Sequence, residues 1–145
     1  MPQYFRILAL AFLLASWAFA TDKVSVPEPQ AIVMARLVEI PGKMPGNDLY
    51  SYVYIFKYKI IQVISGEVKE KEILVGVYNP RQARDQVKDK MGLLVNGDLK
   101  EFKAGAIHKL QLVKPLSKIW KEAVEDEYFD DSAERWYAVQ VDAGK

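Results

Sequence analysis

Residues 49–79 read LYSYVYIFKYKIIQVISGEVKEKEILVGVYN, and the fold turns on how this run is parsed. Tyr50, Tyr52, Tyr54, Phe56 and Tyr58 share one parity, while Val53 and Ile55 take the other. Strand side chains alternate between faces, so the five rings form a single stripe. The opposite face is apolar at its centre too, which is the pattern of a strand covered on both sides. At Ile60-Ile61 the alternation loses phase, and Ile61 and Val63 continue on the other parity. That slip predicts a β-bulge that re-aims and bends the strand. Ser65-Gly66 is a turn signal, and Ile73 to Tyr78 is a second β-rich run.

Upstream, Ala31 to Ile40 is apolar and β-compatible, with Arg36 and Glu39 its only charges, and reads as the first strand. Pro41-Gly42 and Pro45-Gly46-Asn47-Asp48 then build a loop rich in turn residues. Downstream, Asn79-Pro80-Arg81-Gln82 predicts a helix start: a capping Asn, Pro at the first helical position, and Gln to reach back. Ala83, Val87 and Met91 give that helix a thin apolar stripe, and Gly92 ends it. Asn96-Gly97-Asp98 predicts a turn closing Leu93-Leu94-Val95 onto Leu99 to Phe102. Ala106 to Val113 reads as a strand. Pro115 opens a second predicted helix, with Leu116, Ile119, Trp120, Ala123, Val124 and Tyr128 on one face and Trp120 at its centre. Trp136 to Val141 reads as the last strand.

These elements predict a mainly β protein: a small five-stranded OB-like barrel with one or two peripheral helices. Closing the sheet removes its edges, and a five-stranded Greek-key barrel is one way to do so. At 145 residues, half of them hydrophobic, the chain suits one packed domain.

Met1 to Ala20 has the form of a secretory signal peptide. Arg6 supplies the basic start, Ile7 to Ala15 the apolar centre, and Ala18-Phe19-Ala20 the small-x-small cleavage pattern. The apolar run from Ile7 to Ala20 is shorter than the roughly 20 residues of a membrane span. The expectation is therefore cleavage after Ala20, a barrel domain over 21–145, and a secreted or periplasmic protein that does not span a membrane once cleaved. The whole chain has 20 basic and 19 acidic residues. Removing Arg6 with the leader leaves 19 against 19, so there is no global attraction to nucleic acid. The chain has no cysteine, so neither disulfides nor a lipidated N-terminal Cys can hold or anchor it.

The order of elements resembles the netrin-like domains, the group that includes the tissue inhibitors of metalloproteases. The resemblance rests on four stretches. They are Ala35-Arg36-Leu37-Val38, Tyr58-Lys59-Ile60-Ile61-Gln62-Val63-Ile64-Ser65-Gly66, Ile73-Leu74-Val75, and Gly105-Ala106-Ile107-His108-Lys109-Leu110. It covers about half of the chain after the leader. Those inhibitors set an N-terminal Cys against a catalytic zinc and are laced by disulfides. This chain has no Cys, so the resemblance implies the fold and not the activity.

Three features are candidates for chemistry. His108 is the only histidine and shares parity with Leu110 and Leu112, the setting of a hydrogen-bonded core or rim residue. No nucleophile motif accompanies it. Seven carboxylates lie between Glu122 and Glu134, namely Glu122, Glu125, Asp126, Glu127, Asp130, Asp131 and Glu134. They match no EF-hand spacing and read as a solvated helix end, with calcium binding or an acidic hydrolytic pair as the other readings. The aromatic stripe reads either as core or as a stacking platform. Position divides it: Tyr54, Phe56 and Tyr58 are expected in the core, and Tyr50 with Tyr52, beside the Pro-Gly-Asn-Asp loop, as the ligand-facing pair. The expected function is an exported binding module for a protein or a glycan, not an enzyme, with no catalytic residue, metal or cofactor assigned. A secreted hydrolase using the acidic tract and a structural subunit of an envelope complex are the alternatives.

Overall fold

The computed structural model describes residues 26–46 and 48–144. The predicted leader, Met1 to Ala20, lies outside them. Six strands follow in order: β1 (Ala31–Glu39), β2 (Val53–Gly66), β3 (Glu72–Tyr78), β4 (Ile107–Val113), β5 (Val124–Glu125) and β6 (Trp136–Ala143). β1 pairs antiparallel with both β2 and β4. β2 pairs antiparallel with β3, β3 parallel with β6, and β6 antiparallel with β4. The circuit β1-β2-β3-β6-β4 returns to β1, so five strands close a barrel. The two-residue β5 is an addition, parallel to the start of β2.

The parity of residues 50–58 sets two cores. The even positions Tyr52, Tyr54, Phe56 and Tyr58 are buried in the barrel with Leu37, Val75, Leu110, Leu112 and Trp136. The odd positions Val53 and Ile55 face outward and are buried just as fully. Leu74, Tyr78, Met91, Leu116, Trp120 and Tyr137 share that outer cluster. Gly76 permits the close cover, because a Cβ there would lie 2.8 Å from Val53 Cγ1 and 2.9 Å from Leu116 Cδ1.

The bulge read at Ile60-Ile61 is present. Ala35 pairs with Ile60 and Met34 with Gln62, so Ile61 has no partner in β1. A second slip follows, in which Val33 pairs with Val63 and Ile32 with Ser65, leaving out Ile64.

Neither predicted α-helix forms. The cover consists of irregular chain with short 3-10 turns at Arg84–Gln86, Gly92–Leu94 and Leu116–Lys118. The reasons are local. Asn79, read as a helix cap, takes a positive φ of 41°, and its side-chain oxygen accepts the Tyr52 N–H at 3.0 Å. In the second segment Val124 and Glu125 pair with Val53 and Tyr54 as a strand. Asp126 and Asp131 then accept the N–H groups of Tyr128 and Ala133, side-chain bonds that compete with a helix. Trp120 is buried as the apolar face predicts, edge-on to Tyr78 at 5.3 Å, with its Nε1–H on the Ala123 carbonyl.

The hairpin predicted around Asn96-Gly97 is also absent. Asn96 bridges to Gln140, and its backbone bonds Val139 and Val141 of β6. A Cβ at Gly97 would sit 2.0 Å from the Val141 carbonyl oxygen, so this Gly serves close backbone approach.

Candidate functional site

Two long connections, 40–52 between β1 and β2 and 114–135 between β4 and β6, come together at one end of the barrel. Tyrosine hydroxyls join them to each other and to the strands. Tyr50 donates to Glu125 Oε1 at 2.6 Å, and Tyr128 to Glu39 Oε1 at 2.6 Å. Tyr52 donates to the Pro45 carbonyl at 2.5 Å and Tyr54 to the Pro41 carbonyl. Arg81 adds bonds to the carbonyls of Met44 and Pro45. Lys57 Nζ stands 4.9 Å above the Tyr128 ring. Tyr52 and Tyr54 suit this role, because each ring fills apolar space while its hydroxyl ties down a loop carbonyl.

The rings form a ladder running inward. Tyr50 and Tyr52 centroids are 5.6 Å apart, Tyr52 and Tyr54 6.3 Å, Tyr54 and Phe56 5.5 Å. Phe56 then meets Phe102 at 5.2 Å, and Phe102 meets His108 edge-on at 5.6 Å. The two residues named as ligand-facing fall on opposite sides of the surface. Tyr50 is 42% exposed, whereas Tyr52 is fully buried beneath the 40–52 loop. A ligand can touch Tyr50 as the protein stands, and could reach the Tyr52 ring only by displacing that loop. Tyr54, Phe56 and Tyr58 are core, as the sequence implies.

Around Tyr50 the surface is apolar and acidic. Leu49 is 85% exposed, and Val124, which pairs with Val53, is also exposed. The hydrogen bond to Glu125 raises the Tyr50 pKa above the ordinary tyrosine value, with desolvation and the Glu125 charge adding to it. The phenol therefore stays neutral and keeps donating at physiological pH. Glu125 is the partner that sequence reading missed: it sat in an acidic tract with nothing to mark it from its neighbours.

The rest of that tract scatters. Asp126 accepts Arg135 Nε at 3.0 Å, a pair more enclosed than any other ion pair among the described residues. Arg135 also caps the carbonyls of Tyr128, Asp131 and Ala133, which fixes the loop. Glu122 pairs with Lys90 at 3.6 Å on the exposed surface. Among the described residues no group of three or more His, Cys, Asp or Glu is placed to hold a metal ion.

His108 lies in the barrel, 1% exposed, its Nδ1 2.8 Å from the Tyr58 hydroxyl. Desolvation pulls its pKa down to about 4, so the imidazole is neutral at pH 7. Its Nε2 has no protein partner. Arg84, also buried, stacks its guanidinium 5.1 Å from the Phe102 ring and bonds the carbonyls of Asn79 and Gln82. Desolvation lowers its pKa to about 10, which leaves it charged. A sequence pattern could not single out Arg84, because the segment that carries it reads as a surface helix.

A cavity of about 230 Å³ opens where β3 and β6 part, since the two strands pair over only two positions. Glu72, Leu74, Lys114, Glu134 and Trp136 are among its lining residues. Lys114 Nζ covers the Trp136 ring at 4.5 Å.

Comparison of the chain with protein-family models, with curated proteins and with solved structures finds no significant match. Among the described residues no helix is long and apolar enough to cross a membrane.

Proposed function

We propose that the chain is an exported, non-enzymatic binding module that takes a protein or a glycan at the end of the barrel carrying Tyr50. One observation carries this reading: Tyr50 is an exposed aromatic held in place by its bond to Glu125, with Leu49 and Val124 exposed close by. A fixed ring loses little freedom on binding, and tyrosine offers an apolar face with a polar tip. The strand circuit supports an OB-like reading of the barrel, with β6 in the place of the fifth strand. In OB-folds the loops after the first and fourth strands flank the ligand, and here those are 40–52 and 114–135. The netrin-like likeness is part of the same proposal and concerns the fold alone. The leader read at Met1 to Ala20 supports export.

The test uses an array of immobilised polysaccharides and envelope glycans, together with photo-crosslinking from position 50 in the native host. Tyr50→Ala is expected to melt with the unchanged protein and to lose saturable binding or crosslinks. Binding that survives Tyr50→Ala undiminished overturns the assignment of this surface. Glycosidase or esterase turnover abolished by Glu125→Ala or Glu127→Ala overturns the non-enzymatic reading.

A further inference from the structure

Arg84 is buried with a full charge and no opposite charge beside it. It is 3% exposed and stays protonated at pH 7. Its Nη2 bonds the carbonyls of Asn79 and Gln82, the Phe102 ring lies 5.1 Å from the guanidinium carbon, and Nε has no partner. Among the described residues no carboxylate lies within ion-pair distance of it. The titratable groups whose field reaches it are the phenols of Tyr58 and Tyr137. Burial raises both well above the ordinary tyrosine value, so they are neutral and offset no charge. A buried cation matched only by carbonyl dipoles and a ring face is costly, and buried charges are ordinarily paired.

Arg84 also lines an open cavity of about 270 Å³, between its own 3-10 turn and the backbone at 95–97. Lys88 lines the same cavity and makes no ion pair among the described residues. Asp85, the one carboxylate in the lining, is already held by Lys100 Nζ at 2.5 Å. The cavity therefore presents two cations with no acidic partner. Its walls are fixed on both sides. The Arg84 N–H donates to the Leu99 carbonyl at 3.0 Å, and the Asn96 N–H to the Val139 carbonyl of β6 at 3.0 Å. A site fixed in advance loses little freedom on binding. The volume falls just below the roughly 300–1,000 Å³ of pockets for drug-sized ligands, which limits the occupant to a small molecule.

We propose that this cavity is an anion site, in which Arg84 and Lys88 take a small oxyanion, a carboxylate or a phosphate. Both groups offer the oxygen acceptors that suit a guanidinium, and the lysine adds a mobile point charge. The bound anion supplies the opposite charge that the fold leaves out at Arg84. The cavity shares no residue with the surface at Tyr50, so the two assignments stand or fall separately.

The test replaces sodium chloride by sodium phosphate or sodium acetate at constant ionic strength and pH 7. Melting temperature and the NMR signal of the Arg84 Nε–H are followed in the full protein. Phosphate or acetate is expected to displace that signal saturably and to raise the melting temperature with concentration. A response to phosphate alone assigns a phosphoryl group, and a response to acetate alone a carboxylate. Phosphate also stabilises proteins by exclusion from their surface, so the variants separate binding from that general effect. Arg84→Met keeps an apolar stem without the charge and is expected to abolish the saturable response. Lys88→Ala changes an exposed side chain, spares the fold, and is expected to weaken binding about threefold. An Arg84 Nε–H signal that neither anion moves saturably overturns the proposal. Binding that survives Arg84→Met or Lys88→Ala undiminished overturns it as well, because the anion would then lie outside this cavity.

Discussion

The two halves of β2 both carry β-branched residues and treat them in opposite ways. From Val53 to Tyr58 every residue but Lys57 is buried, with rings inside the barrel and Val53 and Ile55 under the outer cover. From Ile61 to Gly66 every residue is exposed. The first half is β-branched or aromatic at every position but Lys57, and the second carries Ile61, Val63 and Ile64 among Gln62, Ser65 and Gly66. Residue type therefore does not by itself explain why Val53 and Ile55 are buried while Ile61, Val63 and Ile64 are exposed. Partners decide it: the first half has β3, β5 and the 79–99 and 114–128 segments around it, while among the described residues the second pairs with β1 alone.

The largest effect expected from breaking this contrast is at Phe56. Its ring is fully buried and touches both Tyr54 and Phe102. Phe56→Ala is expected to cost about 3–5 kcal/mol, the range for a deleted core aromatic. Against a total of roughly 5–15 kcal/mol this threatens folding. Urea unfolding measures it, and a loss under about 1 kcal/mol would mean that the barrel interior collapses around the gap or that Phe56 is not core.

The next effect is at the junction of the two halves, where Tyr58 meets His108. The folded imidazole has a pKa of about 4, below the unfolded value of about 6.5. The unfolded chain thus binds the proton first as pH falls. Stability is full above about pH 6.5, declines as pH drops toward about 4, and then levels off. The gap corresponds to about 3 kcal/mol. Carboxylates titrate lower, so the upper part of the window, from pH 6.5 to 5, isolates the histidine. Melts of the unchanged protein should fall there, while His108→Gln, less stable at pH 7, should be flat. Parallel pH curves for the two would remove His108 as the cause.

How much of this was legible follows from where each residue spends its hydrogen bonds. Parity alone placed Tyr54, Phe56 and Tyr58 inside, and the phase slip at Ile60-Ile61 located the first bulge. Four further strands came within one or two residues of their bounds. The second bulge at Ile64 left no mark, because Val63 and Ile64 are both apolar and either could face outward. The first helix failed because its capping residue serves a distant partner, Asn79 bonding Tyr52 27 positions away, and the second because Val124 and Glu125 pair with β2 while Asp126 and Asp131 bond N–H groups two residues on. Apolar residues at helical spacing, such as Leu116 and Trp120, are buried from irregular chain just as well. Tyr52 is tied to Asn79 and to the Pro45 carbonyl, whereas Tyr50 is tied to Glu125, partners that no pattern in the strand encodes.

The smallest effect sharpens the contrast most, since it compares one residue type in one strand. Ile55 is fully buried on the outer face of β2, and Ile61, six positions on, is 52% exposed. Ile55→Ala removes methyl groups from a packed cluster and is expected to cost about 2–5 kcal/mol. Ile61→Ala leaves no cavity, because as the unpaired residue of a bulge it packs against no β1 partner. Its cost is expected to stay within about 0.5 kcal/mol, as for surface changes in general. Urea unfolding of the two variants makes the comparison. A large loss at Ile61 would show that its side chain is packed within the fold, and the contrast between the two halves of β2 would fail.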